Sequence, residues 1–218
     1  IGPNNASVDW FRISVHGKSA HVSTPHLGAD ALYIASQIVV AIQALITRRT
    51  NPLESILIGI GRLDAGTAYN VVAEDAQMEG TIRVFSPELR KATKERIELV
   101  ASSIAAMYGG TVSVEWKDFT SPLINDEEST LEVRKVLTSV FGKESVIESR
   151  TPSLGGDDFA EYILKVPGCY AFVGSRNPEV PETGAAHHNS HFDVDALTVM
   201  VNLMSIYAIE FLNGEINK

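Results

Sequence analysis

The stretch DWFRISV, residues 9–15, alternates apolar and polar side chains along the chain. Phe11, Ile13 and Val15 fall on one face, and Trp10 and Arg12 fall on the other. A period of two residues is typical of a β-strand that buries one face and exposes the other. The stretch therefore predicts the first strand of the fold.

Five further elements follow this strand in the order helix, strand, strand, helix, strand. They are predicted at 29–48, 55–63, 76–85, from Pro87 to the pair Gly109-Gly110, and at 111–116. The order βαββαβ over residues 8–118 is typical of a ferredoxin-like sandwich, in which two helices cover one face of a sheet. The first two strands of that topology run parallel through a right-handed crossover. The loops that follow them then emerge at the same end of the sheet, which predicts that His21 and Asn70 share an edge.

The second half of the chain has a different pattern. It predicts helices at 126–141, 157–164 and 195–213, the last of them buried, and only two strands, at 145–149 and 169–174. Two strands make a marginal sheet, and the apolar run CYAFVG at 169–174 is typical of a central strand with neighbours on both sides. We therefore expect residues 9–118 to form one domain and 119–218 to complete a larger α/β domain whose other strands lie upstream of Ile1.

The composition excludes some classes of partner. The formal net charge of −9 and the lack of Lys/Arg clusters argue against nucleic acid. Polar amides interrupt the longest apolar stretches, at 31–46 and 196–212, so neither predicts a membrane span. The single cysteine, Cys169, allows no disulfide framework, and a cytoplasmic location is the expectation. A small solute or another protein is the expected partner.

The segment AAHHNSHFDVD, residues 185–195, contains three histidines and two aspartates just before an apolar helix. Imidazole and carboxylate groups are the usual ligands of metals such as Zn²⁺, which makes His187, His188 and His191 candidate ligands. The alternative is a polar loop whose Asp195 caps the helix, and the two roles are compatible.

The segment GGDDFAEY, residues 155–162, places two glycines and the carboxylates of Asp157 and Asp158 where a strand is expected to lead into a helix. The simpler interpretation is a helix N-terminus, where acidic side chains are favoured by the helix dipole. The alternative is a loop whose backbone approaches a ligand closely.

The segment GKSAHVSTPHLGAD, residues 17–30, follows the first strand and carries two histidines. His21 lies in a loop bounded by Gly, Ser and Pro, and reactive groups are often found in such loops. His16 and His26 are interpreted as structural or rim residues.

Four motifs in order, GKSAHVSTPHLGAD, YNVVAEDAQMEGTIRVF, GGDDFA and HHNSHFDVD, give the chain a resemblance to a known family. It resembles the aminoacylase-type di-metal amidohydrolases and peptidases, which include hippurate hydrolase, N-acetyldiaminopimelate deacetylase and the indole-acetyl-amino-acid hydrolases. The resemblance implies that residues 9–118 are a ferredoxin-like lid and dimerisation domain. It implies that residues 119–218 are the C-terminal part of a catalytic α/β domain. That domain holds two divalent metal ions, which are Zn or alternatively Mn, Co or Ni.

The same resemblance implies roles for four residues. His188 matches the C-terminal metal ligand of the family. His21 matches the lid histidine that reaches into the partner subunit's site and polarises the scissile carbonyl. Asn70 and Arg83 match lid residues that hold the substrate, although a regular strand at 76–85 would carry Arg83 away from the His21 edge.

The sequence also departs from the family pattern. Ser190 stands where many relatives have proline, and Asp157 stands where glutamate is common. No segment matches the N-terminal half of the relatives, which supplies the remaining metal ligands and the general-base glutamate. We therefore expect the chain alone to be inactive.

Two functions are considered. The first is hydrolysis of the amide bond of N-acyl amino acids or small peptides by a metal-activated water, in a homodimer formed through the lid. The predicted strand order leaves SILIGIG, residues 55–61, on an edge without charge or proline, which favours pairing with a second copy. The alternative is a non-enzymatic ferredoxin-like module that binds an amino acid or mediates assembly and needs no metal.

Overall fold

The computed structural model describes residues 1–147, 150–184 and 191–214. The chain divides into two compact units. One unit contains Pro3–Ile124 together with Pro152–Leu164, and the other contains Ile1–Gly2, Asn125–Thr151 and Lys165–Lys218. The segment that carries GGDDFA thus belongs to the unit of the ferredoxin-like elements.

The first unit is built on a four-stranded antiparallel sheet. Its strands are β2 (Val8–His16), β4 (Ile56–Ala65), β6 (Asp75–Val84) and β7 (Thr111–Thr120), in the order β4-β6-β2-β7. Both β2 and β4 run antiparallel to β6 and hence parallel to each other. The ferredoxin-like topology predicted from the sequence is confirmed.

Two helices, α1 (Ala31–Arg49) and α2 (Pro87–Met107), contribute to the hydrophobic core with the apolar face of the sheet. Phe11, Ile13 and Val15 are fully buried in that core, as the alternation of residues 9–15 predicts. The helices begin where side chains can cap them: Asp30 Oδ1 accepts hydrogen bonds from two N–H groups of α1, and Ser86 Oγ accepts one from Leu89.

Helix α1 is long and apolar enough to cross a membrane by length and composition. Its Ile34, Ile38 and Ile42 are nevertheless fully buried against the sheet and α2. A core helix passes the same test of length and composition, and the packing of α1 is that of a core helix.

Four short strands form two further sheets of two strands each. β3 (Ala20–His21) pairs with β5 (Val71–Val72), and β1 (Gly2–Asn5) pairs with β8 (Leu123–Asn125). A short helix, α4 (Phe159–Ile163), follows the GGDD segment.

The second unit contains α3 (Glu127–Phe141) and α5 (Ala196–Leu212), which pack against each other. Tyr207 on α5 donates a hydrogen bond to Glu132 on α3 at 3.1 Å. Burial of the phenol raises the pKa of Tyr207 to about 12, and the hydrogen bond to Glu132 and the charge of Glu132 contribute to that rise. The expectation that α5 is buried is wrong for this structure, because Leu203 is its one buried residue among those described. Most of its other large apolar side chains are exposed, among them Leu197, Met204 and Leu212.

The two strands predicted in the second half are also absent from the described residues. Lys143–Ser145 form a 3-10 turn, Glu148 and Ser149 lie outside the described residues, and 169–174 form no strand. The backbone of Tyr170 is instead bonded to the side-chain amide of Asn125, at 2.9 and 3.0 Å. A strand requires a neighbouring backbone to complete its ladder, and one side-chain amide replaces only a single rung.

Candidate functional site

The loop between β2 and α1 is closed on itself by backbone hydrogen bonds. Lys18 and Ala29 exchange two such bonds, at 2.8 and 2.9 Å, and Gly17 N–H donates to Glu74 O at 2.7 Å. A Cβ on Gly28 would lie 2.7 Å from Lys18 O, which is closer than real Cβ atoms approach. The glycine therefore allows the two arms of the loop to pack together and present residues 20–27 at the end of the sheet.

His21 and Asn70 lie side by side at this end. His21 pairs with Val71 in the β3–β5 ladder, and Val22 N–H donates to Asn70 O at 3.1 Å. The predicted shared edge is therefore confirmed. Both side chains are accessible, with His21 exposed and Asn70 half-buried, so this end of the sheet offers an imidazole and an amide to a ligand.

The His21 ring is held by Ser23. The Nδ1 atom of His21 lies 2.7 Å from Ser23 Oγ and 3.2 Å from Ser23 N. Among the described residues, no group of three or more His, Cys, Asp or Glu side chains is placed to hold a metal ion. What this end offers chemically is hydrogen bonding.

Arg83 lies at the opposite end of the sheet. It is the penultimate residue of β6, whereas the His21 loop adjoins the first residue, Asp75. Eight residues at about 3.3 Å each place it about 26 Å away along the strand. The sequence expectation that a regular strand separates the two is confirmed, and Arg83 Nη1 lies 3.5 Å from Leu154 O.

The GGDD segment lies near this second end. A Cβ on Gly156 would collide with the side chain of Val8, so the glycine allows the segment to approach β2 closely. Asp157 Oδ1 accepts a hydrogen bond from Phe159 N–H at 2.9 Å. That contact favours the interpretation of the Asp157 carboxylate as part of a helix start.

The histidine-rich segment is described only in part. His187 and the predicted metal ligand His188 lie outside the described residues, and His191 is exposed. The prediction that Asp195 caps the last helix is wrong, because its side chain makes no capping bond to α5. Asp193 Oδ1 instead accepts from Asp195 N–H at 3.0 Å, which stabilises the turn before the helix.

The structure contains a buried charge cluster that the sequence analysis did not predict. The carboxylate of Asp9 is fully buried and contacts Arg90 at 2.8 Å and Lys94 at 2.8 Å. Lys94 also binds Asp118 at 2.5 Å. The sequence did offer one indication of this cluster: Asp9 falls on the same face of β2 as the buried residues Phe11, Ile13 and Val15, and a buried carboxylate needs a counter-charge.

The cluster alters the protonation of its members. Partial burial alone would raise the pKa of Asp118, but the hydrogen bond and charge of Lys94, together with Arg90, lower it. Burial alone would lower the pKa of Arg90, but the hydrogen bond to Asp9 and the charge of Asp9 outweigh that effect, so the pKa of Arg90 is raised. The cluster joins α2 to β2 and β7 at the Arg83 end of the sheet.

Comparisons with known proteins agree with this architecture. Residues 5–108 match the peptidase dimerisation domain. The chain is 36% identical over 215 residues to thermostable carboxypeptidase 2 of Saccharolobus solfataricus, covering 97% of this chain and 53% of that protein. It is 38% identical over 174 residues to N-acetyl-L-cysteine deacetylase of Bacillus subtilis, covering 80% of this chain and 41% of that protein.

A solved structure matches as well. A dinuclear metal-binding peptidase of the M20 family from Bacillus subtilis superposes with a TM-score of 0.76 at 30% identity. The match covers 97% of this chain and 52% of that one. The chain thus spans about half the length of the relatives that it matches.

Proposed function

Since the chain belongs to the M20 family of peptidases and amidohydrolases, we propose that it serves a metal-dependent enzyme that hydrolyses the amide bond of N-acyl amino acids or small peptides. Residues 9–118 would be the lid and 119–218 the C-terminal part of the catalytic domain. The observation that carries the proposal is that His21 and Asn70 lie side by side at one end of the sheet, where His21 pairs with Val71 and Val22 N–H donates to Asn70 O. The enzyme would act in the cytoplasm as a homodimer.

Each candidate residue has a role in this proposal. His21 donates a hydrogen bond to the carbonyl oxygen of the scissile amide as that oxygen gains charge. Asn70 binds the substrate next to it, and Arg83 pairs with its carboxylate. His188 is a metal ligand, and the remaining ligands and the general base come from a segment outside this chain, so the chain alone is inactive.

The chemistry of the donors fits a divalent metal. The imidazoles of the segment 185–191 suit Zn²⁺ and the later first-row metals better than Mg²⁺ or Ca²⁺. Two such ions, when bound, lower the pKa of a water molecule and polarise the carbonyl. The protein residues then have to orient the amide and stabilise its oxygen.

The names of the relatives support an amide substrate. A deacetylase of N-acetylcysteine and a carboxypeptidase both break an amide bond next to an amino acid. A carboxylate-bearing substrate would also account for a cation at Arg83. The acyl group and the amino acid are not assigned.

The test uses a full-length protein that contains this chain. His188→Ala should lower both bound metal, measured by elemental analysis, and hydrolysis of a panel of N-acyl amino acids. His191→Ala is the matched control and should have the milder effect. Equal metal content in wild type and His188→Ala would contradict the ligand assignment.

A metal-free wild-type protein that binds amino acids without hydrolysing any amide would overturn the enzymatic proposal. It would favour the alternative of a non-enzymatic module that binds an amino acid or mediates assembly.

A further inference from the structure

Ser23 contacts the ring of His21 twice, both times at Nδ1. Ser23 N–H donates to His21 Nδ1 at 3.2 Å, and Ser23 Oγ lies 2.7 Å from the same atom. An amide hydrogen lies in the peptide plane and cannot turn away from its acceptor. Nδ1 must therefore present its lone pair, because two hydrogens would otherwise face each other. A neutral imidazole then carries its one hydrogen on Nε2.

We propose that Ser23 is a positioning residue that holds His21 in the tautomer with its hydrogen on Nε2. Nε2–H can then donate a hydrogen bond, but it can neither accept a proton as a base nor bind a metal ion. The catalytic consequence, donation to the substrate carbonyl, rests on the proposed function. The tautomer itself is a property of this chain.

The direction of the Ser23 amide is set by its neighbours. Thr24 N–H donates to His21 O at 2.8 Å, and Thr24 Oγ1 donates to the same oxygen at 3.3 Å. On the other side, Val22 N–H is bonded to Asn70 O. Residues 21–24 thus form a closed turn anchored to the β3–β5 pair, and the amide points at Nδ1 before any ligand arrives.

The hydroxyl of Ser23 adds a second constraint. A serine O–H can rotate, and because Nδ1 already accepts from the amide, the hydroxyl donates to the same lone pair. A second donor to the same nitrogen adds to the energy that opposes rotation of the ring about its Cβ–Cγ bond. The amide therefore selects the tautomer, whereas the hydroxyl helps to fix the plane of the ring.

His16 provides an internal comparison, because its partner has the opposite character. His16 Nδ1 lies 2.8 Å from Asp75 Oδ1. An ionised carboxylate only accepts hydrogen bonds, so Nδ1 of His16 carries a hydrogen. Two histidines five residues apart are thus held in opposite tautomers, one by an amide donor and the other by a carboxylate acceptor.

The test is nuclear magnetic resonance of the ¹⁵N-labelled 218-residue chain. At pH about 8, above the ordinary histidine pKa, the ring nitrogens report which atom is protonated. We expect Nε2–H for His21, Nδ1–H for His16, and a ¹⁵N–¹⁵N coupling across the bond from Ser23 N–H to His21 Nδ1. Because a free imidazole already favours Nε2–H, the coupling is the decisive signal. Its absence from resolved signals, or an Nδ1–H pattern for His21, would overturn the proposal.

Variants separate the two contributions of Ser23. Ser23→Ala keeps the amide and should retain both the tautomer and the coupling, whereas Ser23→Pro removes the N–H and should abolish the coupling. The signals of His16 should be unchanged in both variants. If Ser23→Pro does not fold, the coupling in the wild-type chain and in Ser23→Ala remains a complete test.

Kinetics of the full-length protein test the catalytic consequence. Ser23→Ala should lower kcat by up to about tenfold, the worth of one orienting hydrogen bond, with little change in KM. Ser23→Thr should restore it. If the coupling is present but neither Ser23→Ala nor His21→Ala affects hydrolysis, the proposed role of His21 in catalysis fails while the tautomer assignment stands. If the coupling is missing, the tautomer assignment fails, and the role of His21 in catalysis is then judged from the His21→Ala kinetics alone.

Discussion

His21 and Arg83 lie at opposite ends of β6: the loop that carries His21 is bonded to Glu74, just before the strand begins, and Arg83 is its penultimate residue. The eight residue steps from Asp75 to Arg83 span about 26 Å at the usual rise per residue. An N-acyl amino acid is far shorter than this distance, so one subunit cannot bring both side chains to the same small substrate. If both residues serve catalysis, they must serve different active sites. In a homodimer, each site would then combine Arg83 of one subunit with His21 of the other.

This arrangement predicts complementation between two impaired variants of the full-length protein. His21→Ala should lower kcat by about 10²–10³ because one donor to the developing oxyanion is lost, and Arg83→Ala should chiefly raise KM. Mixed dimers of the two variants contain one site with both residues intact, so activity should return toward half of wild type. Steady-state kinetics after subunit exchange measure the recovery.

The control for this experiment mixes His21→Ala with the double variant His21→Ala/Arg83→Ala. No intact site can form in that mixture, and its activity should stay low. An equal lack of recovery in the test mixture, despite verified exchange, would show that both residues act within one subunit.

The second prediction concerns the free edge of β4. The segment from Ile56 to Gly61 is uncharged and lies at the end of the sheet order. Leu57→Lys adds a charge on the exposed face of this edge and should raise the dimer dissociation constant tenfold or more, which corresponds to about 1.4 kcal/mol. Sedimentation velocity measures the change.

Ser113→Lys is the matched control, because Ser113 is exposed on β7, the opposite edge strand. It should leave association unchanged. Ile58 is unsuitable for this test because its side chain is only 5% exposed and belongs to the core, so a charge there would unfold the chain. Equal dissociation constants for wild type and Leu57→Lys would argue against the β4 edge as the interface.

The third prediction concerns Gly80 on β6. A Cβ at this position would overlap the ring of Phe11 and the carbonyl oxygen of Gly59. Gly80→Ala should therefore lower the free energy of unfolding by about 1–3 kcal/mol through overpacking. Gly61→Ala is the control, since nothing lies within 4 Å of the added atom. Urea denaturation of both variants gives the comparison, and equal midpoints would contradict the close packing.

The fourth prediction concerns the buried carboxylate of Asp9. Asp9→Asn leaves Arg90 and Lys94 without their buried counter-charge and should cost about 3–5 kcal/mol of unfolding free energy. Asp118→Asn should cost less, because the Asp118 side chain is 56% exposed and solvent screens its charge. The reverse order of the two costs in urea denaturation would exclude Asp9 as the centre of the cluster.

The fifth prediction follows from the lowered pKa of Asp118. Its pKa in the folded chain lies below the ordinary value of 3.8, so the folded state favours the ionised carboxylate. This contribution to stability is present above that value and is lost as the pH falls through the lower folded pKa. The unfolding free energy of wild type should therefore decline more steeply below pH 4 than that of Asp118→Asn. Parallel declines in urea titrations at several pH values would contradict the assignment.

The topology of the first unit could be predicted because it depends on local patterns. The alternation of residues 9–15, the caps at Asp30 and Ser86, and the glycines after α2 each act within a few residues. The neighbourhood of His21 and Asn70 also followed, because the handedness of a strand–helix–strand crossover limits where its loops emerge. These features required no knowledge of distant contacts.

The elements that could not be predicted depend on partners distant in the sequence. Residues 169–174 have the composition of a strand, but a strand forms only where a neighbouring backbone completes its ladder. Helix α5 is apolar, yet its burial depends on what packs against it.

By itself, the sequence determined the order of strands and helices in the first unit, since periodicity and capping are properties of adjacent residues. Only the tertiary structure decided that Asp9 meets Arg90, 81 residues away, and that Ser23 faces Nδ1 of His21. The strength and direction of a hydrogen bond depend on distances of a few tenths of an ångström. Those distances are set by the packing of whole elements against one another.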